Sequence, residues 1–221
     1  MPVVVYKMDA SPPARAVLLV ADIIGLDIET REVNLFAKEQ LQPEFLEKNP
    51  MHTIPVMEDK GLVLADSHAI IIYLVSKYGA DKRAELYPND LGDRAIVHQR
   101  LFLDASILFP RLHVAVKNVL FGNATSIEED AIAHVEEAYV FLEKYLEASP
   151  FIAGEHLTIA DISCVTTVSS LNVVVPIDEK FPRLQAWLEF LSNEDWYQKG
   201  NQQGIVEFGI LLTSKMQQNA E

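Results

Sequence analysis

The residues best suited to chemistry gather in three short stretches. The first is Asp9-Ala10-Ser11-Pro12-Pro13, where the apolar run "VVVYK" (3–7) gives way to a helical pattern. Without a base to take its proton, and without a Gly-x-Ser-x-Gly elbow, Ser11 does not read as a nucleophile. A hydroxyl at a helix start either accepts from the helix amides as a cap or donates its hydrogen to a bound anion, and the two roles can coexist. A thiolate held there would be stabilised by the hydroxyl and by the positive end of the helix. The other stretches are "NPMHTIPV" (49–56) and "ADSHAI" (65–70). A cis Pro55 would leave the main chain of Ile54 outside the sheet, free to bind a peptide-like ligand as an extra strand; the alternative is an ordinary trans edge proline. Asp66 suits an ammonium, and Ser67, heading a helix, suits a carboxylate; together they match the α-amino acid end of a ligand. Otherwise Ser67 is only a cap and Asp66 only a favourable charge on the helix dipole. His52 is placed to donate to a second carboxylate. His68, on a first helical turn, is open to either role, whereas His98, His134 and His156 read as structural.

The elements that position these residues alternate over the first eighty residues. The pattern predicts a strand over 3–7, a helix from Pro12 to Ile24 closed by Gly25, and a half-buried strand over 28–34. A short helix over 43–49, a hairpin turning at Lys60-Gly61, and a helix over 67–79, capped by Ser67 and closed by Gly79, follow. The order βαβ then ββα makes a four-stranded mixed sheet. A polar connector, "ADKRAELYPNDLG" (80–92), leads into a region that is helical almost throughout. There Pro110 kinks a long pattern over 93–120. Capping boxes are expected at Ser126–Glu129 and Thr158–Asp161, the second with a Leu157–Ile162 staple. Pro182 opens a helix over 182–193, and an amphipathic segment over 204–216 packs back over the molecule.

The balance of 32 Asp and Glu against 18 Lys and Arg, a formal charge of −14, excludes nucleic acid and anionic membrane surfaces as natural partners. A single cysteine, Cys164, excludes an intrachain disulfide and CxxC chemistry. No metal-ligand cluster is legible. The N-terminal residues lack the pattern of a signal peptide and no apolar run reaches membrane-span length, so a cytoplasmic location is expected.

The motifs "SPPARAV" (11–17), "NPMHTIPV" (49–56), "DSHAI" (66–70) and "TIAD" (158–161), in this order, resemble the cytosolic glutathione transferases, above all the insect epsilon class and next the delta class. The resemblance covers essentially the whole chain. It implies an α/β, thioredoxin-like glutathione-binding domain over 1–80, a linker over 81–91 and an all-α domain over 92–221, assembled as a homodimer. It makes Pro55 cis, Ser11 the hydroxyl that steadies the thiolate of reduced glutathione, and the main chain of Ile54 the partner of its cysteinyl unit. Asp66 and Ser67 take the γ-glutamyl ammonium and carboxylate, with His68 beside them, while His52, Thr53 and Gln40 approach the glycyl end. Asp66 is one methylene shorter than the Glu more usual there, and Gln40 replaces a usual His. Arg111 or His113 supplies the contact commonly made by a helical arginine. The pocket for apolar electrophiles draws on Ala10, Pro12, Phe36, Phe109, Leu112, Val116, Leu120 and Phe208. The implied activity is conjugation of glutathione to apolar electrophiles; the alternatives are a glutathione-dependent peroxidase or isomerase acting on an endogenous lipid or steroid, and a low-turnover carrier of apolar ligands.

Overall fold

The computed structural model describes residues 2–221. Strand β1 (Val3–Lys7) lies at the centre of a four-stranded sheet beside β2 (Ile28–Glu32), β3 (Val56–Asp59) and β4 (Leu62–Ala65). The order is β2-β1-β3-β4, with β1 parallel to β2 and antiparallel to β3. Helix α1 (Pro12–Ile23) makes the crossover that parallel neighbours require. β3 and β4 pair Asp59 with Leu62 across Lys60 and Gly61, both at positive φ (50° and 90°), the geometry of a tight hairpin. β2 departs from the expected half-buried alternation. As an outer strand it is largely exposed, and only Ile28 packs against the core.

Alternate residues of β1 serve opposite faces. Val3 and Val5 join Met57, α1 and α3 (Ser67–Tyr78) in the main core; Val4 and Tyr6 pack with Val33, Val56 and Phe45 of the short helix α2 (Pro43–Leu46). Asp59 ties β3 to α3, accepting from Tyr73 Oη, Lys77 Nζ and Tyr78 Oη. α3 does end at Tyr78, although Gly79 keeps a right-handed conformation; Gly25, after α1, is left-handed with φ 68°.

The connector is partly helical, holding α4 (Arg83–Leu86). Beyond it come α5 (Leu91–Leu103), α6 (Phe109–Phe121), α7 (Glu129–Tyr145), α8 (Ile159–Val174), α9 (Pro182–Ser192), α10 (Asp195–Gly200) and α11 (Gln202–Ala220). Between α5 and α6 a π-helical turn, Asp104–Leu108, precedes Pro110, so the expected break takes the form of a widened turn. The Ser126–Glu129 capping box does not form. Helix α7 starts only at Glu129, with Glu128 at the cap and no side-chain cap bond. The Thr158–Asp161 box does form, and Asp161 goes further. Fully buried, it accepts from the amides of Ile152 and Thr158, the Thr158 hydroxyl and the Trp187 indole, at 2.9–3.2 Å. Burial nonetheless pushes its carboxyl up to about 6.

α8 is buried along nearly its whole length and carries the sheet-bearing half on its side. Arg15 of α1, wholly buried, donates to Thr166 O (3.2 Å) and Ser170 Oγ (2.5 Å) of α8. Gly204 seats α11 against the loop after β1. A Cβ there would stand 2.3 Å from the Asp9 carbonyl and 2.5 Å from Arg15 Cδ, so only glycine permits the approach. No helix among the described residues is long and apolar enough to cross a membrane.

Candidate active site

Ser11 holds the N-cap position of α1, but its side chain makes no capping bond. Pro12 and Pro13 occupy the first two helical positions and have no N–H to offer, so Ala14 N is the one capping donor in reach, and Ser11 does not bond it. The main chain of Ser11 is fully engaged, its N–H donating to Met8 O (2.9 Å) and its carbonyl accepting from Arg15 N (3.0 Å). The hydroxyl, half-buried, is therefore left for a ligand at the positive end of the helix. Of the two roles expected for it, the capping role is absent.

Beside the start of α1 opens a cavity of about 260 Å³ walled by Pro13, Thr53, Ile54, Pro55, Asp66, Ser67, His68, Asp104 and Phe109, among others. The Ile54–Pro55 bond is cis. Pairing of β3 with β1 begins only at Val56, which leaves the main chain of Ile54 outside the ladder. Asp66, not Ser67, caps α3. With φ 76°, it turns Oδ1 toward the amides of His68 (2.9 Å) and Ala69 (3.1 Å). Ser67 is the first helical residue, and it is buried at the cavity wall.

His68 joins the two halves. Its Nε2 lies 3.1 Å from Oδ2 of Asp104, in the π-helical turn, and Nδ1 lies 3.4 Å from Asp66 Oδ1. Ser163 of α8 donates to the same Asp104 oxygen at 2.6 Å. Burial disfavours the imidazolium, yet the hydrogen bond to Asp104 and the nearby carboxylate of Asp66 outweigh it and raise its pKa to about 9. At neutral pH the cavity wall thus holds a protonated histidine between two carboxylates.

A second cavity, of about 100 Å³, is apolar. Its wall brings together Ser11 and all the expected pocket residues, Ala10, Pro12, Phe36, Phe109, Leu112, Val116, Leu120 and Phe208. Met8, Leu35, Phe121 and Leu211 also line it and escaped the sequence reading; helical spacing from Phe208 pointed toward Leu211, but Phe121, next to Leu120 in the chain, and Met8 and Leu35, outside the helices, carry no such signal. Phe36 stacks on Phe121 at 5.3 Å between centroids. Phe109 faces both cavities, and Ser11, in the wall of the apolar one, stands two residues before Pro13 in the wall of the other.

The structure separates the remaining candidates. Arg111 points away from both cavities, donating to His134 O and pairing with Glu137 of α7, with its guanidinium over Phe141. His113 lines the apolar cavity beside Phe109 instead, and burial lowers its pKa. His52, at φ 50°, is exposed just outside the peptide-side wall, which includes its neighbours Met51 and Thr53. Gln40 points inward, its Nε2 3.4 Å from Leu35 O, and lines neither cavity. No group of three or more His, Cys, Asp or Glu residues placed to hold a metal occurs among the described residues.

Comparison with known proteins identifies this architecture. The family model described as glutathione S-transferase, N-terminal domain, matches residues 5–82, and that of the C-terminal domain matches 120–190. Glutathione S-transferase 1 of Manduca sexta is 46% identical over 219 residues, covering 98% of this chain and all of that protein. An epsilon-class glutathione S-transferase from the housefly, Musca domestica, superposes with a TM-score of 0.93 at 45% identity, covering 96% of this chain and 98% of the other. A glutathione transferase homologue from Drosophila mojavensis, solved with bound glutathione, gives 0.93 at 41% identity and 97% coverage of both. With a thioredoxin-like sheet domain, a helical domain and the uncapped Ser11 hydroxyl in the wall of an apolar cavity, the chain belongs to the glutathione S-transferases, among the insect enzymes of the epsilon and delta classes.

Proposed function

We propose that the chain conjugates reduced glutathione to apolar electrophiles, with Ser11 holding the thiolate. The observation that carries this reading is the uncapped hydroxyl of Ser11 in the wall of the apolar cavity. The tripeptide takes the larger cavity. Its cysteinyl unit pairs with the main chain of Ile54, its γ-glutamyl end meets Asp66 and Ser67, and its glycyl end runs toward His52 and Thr53. Gln40 joins there only if it turns outward. His68, in the wall of that cavity, faces the same γ-glutamyl end and, bound to Asp104, holds its place beside Asp66.

In the reaction the thiol proton leaves to solvent, the sulfur lone pair forms a C–S bond, and the displaced group, a halide for an aryl halide, departs with the bonding pair. A hydrogen bond to a charged group is worth about 1.5–3 kcal/mol, which lowers a thiol pKa by about 1–2 units. Some of that gain is returned, because a less basic thiolate is a weaker nucleophile. Loss of the Ser11 hydroxyl should therefore raise the pKa of bound glutathione by about 1–2 units. Thiolate absorbance across pH and turnover of chlorodinitrobenzene, compared between wild type and Ser11→Ala, test this. An unchanged thiol pKa in the variant refutes the role of Ser11. Glutathione binding without turnover of any electrophile favours a carrier.

The reading extends to a cytoplasmic homodimer. Exposed Phe102 and Leu91 on α5, and Met51 at the cavity rim, support it as apolar surface that a second copy would cover. Sedimentation at micromolar concentration decides; a clean monomer removes it.

A further inference from the structure

We infer that the reaction pocket continues into an acidic outer chamber, and that the electrophiles it takes best carry a protonated amine on the arm pointing away from the reacting carbon. The inference rests on the transferase reading above. It begins from size. A cavity of about 100 Å³ beside Ser11 is smaller than the ~150 Å³ apolar cavity known to hold a benzene ring. Any larger electrophile must extend out of it. One way out, past Phe109, leads to the cavity assigned to the peptide. The other passes Met8, Ala10, Phe36 and Leu211, which also wall a chamber of about 520 Å³. The two spaces therefore share one wall.

The far side of that chamber is formed by Glu32, Asn34, Glu39 and Glu207, and no Lys or Arg lines it among the described residues. Glu39 Oε2 accepts from Asn34 N at 2.7 Å and Glu207 Oε1 accepts from Gln203 Nε2 at 2.9 Å, so each keeps a second oxygen. Glu32 is paired with Lys7, which also binds Asp9. Lys215 lies over Phe36 with Nζ 5.7 Å from the ring centre. Carboxylates on a surface are ordinarily just solvated. What makes these part of the site is the shared apolar wall, which delivers the arm of a longer substrate to Glu207, half-buried on α11.

A unit charge about 6 Å from a carboxylate in a water-like surrounding gains roughly threefold in affinity, and an opposite charge loses as much. An ammonium arm should thus outrun a carboxylate arm by about tenfold in kcat/KM. The test uses chloronitrobenzamides with equal arms ending in ammonium, acetamide or carboxylate, and their unreactive dechlorinated counterparts for calorimetry. The expected result is ammonium over acetamide over carboxylate, narrowing with salt. Glu207→Gln, nearly the same shape, removes both the gain for the ammonium and the loss for the carboxylate and should shrink their ratio about tenfold. Equal rates for the three arms, or a ratio unmoved in Glu207→Gln, overturns the inference. If neither these compounds nor chlorodinitrobenzene react, the transferase reading fails, and calorimetry with the dechlorinated set still decides the charge preference.

Discussion

His68 offers the sharpest test of how the two halves hold together. Its imidazolium stands, partly buried, between Asp104 and Asp66, with a pKa raised to about 9 from an ordinary 6.5. In the unfolded chain it titrates near 6.5. A raised pKa means that the folded state holds the proton more tightly. The stabilisation is therefore complete below pH 6.5, and it is lost as the pH climbs from there through 9. The interval spans roughly 2.5 pH units, and at ~1.36 kcal/mol for each it amounts to about 3 kcal/mol. Urea unfolding of wild type and His68→Gln at pH 6 and pH 9.5 isolates this, since the other titrating groups are common to both proteins. Wild type should lose about 3 kcal/mol relative to the variant over that range. If the two proteins keep a constant difference at both pH values, His68 does not carry an ion pair across the halves, and the reasoning fails.

Two further perturbations probe the frame. Asp161→Ala strips the acceptor from four buried donors and should cost about 3–5 kcal/mol in urea unfolding; a loss below ~1 kcal/mol would remove its structural role. Gly204→Ala forces a Cβ onto the Asp9 carbonyl, which cannot swing aside, whereas Gly200→Ala meets only Leu19 Cδ2 at 2.6 Å, the end of a flexible side chain. The first should cost at least ~1–3 kcal/mol and the second clearly less, as read by thermal unfolding. Equal costs would mean that α11 can shift away from the loop after β1.

Much of this was legible in the sequence where one physical rule acted alone. β1 came out at Val3–Lys7 because an unbroken apolar run between turns has few other uses. The eight expected residues of the reaction pocket came from the family resemblance, because helical spacing on α6 and α11 alone does not tell a pocket wall from core; Met8, Leu35, Phe121 and Leu211 were missed. Failures came where two rules competed. At Asp66-Ser67 both residues are good caps, and the positive φ of Asp66, a tertiary outcome, decided between them. Ser126 stood at capping distance from Glu129, yet the chain stays irregular until Glu129 itself, so the spacing was satisfied without a helix to cap. Arg111 escaped because the π-helical turn alters the phase of α6 relative to α5, and that turn has no simple sequence mark beyond Pro110. The ion pair through His68 joins residues 36 apart in sequence, and no local pattern reveals such a partner.

The seating of α11 over the loop after β1 also has a consequence in time. The acceptor pocket is walled by Met8 and Ala10 at one end of the chain and by Phe208 and Leu211 at the other. During synthesis the sheet-bearing half emerges first, at about 5–20 residues per second, and can begin to fold as a unit. Its pocket for the second substrate must wait for residues 202–220. A nascent or truncated chain lacking that helix would thus carry the serine, the β1–α1 loop and the α6 side of the pocket, but not the Phe208 and Leu211 wall that closes it. Reactivity is assembled last, after the framework that supports it.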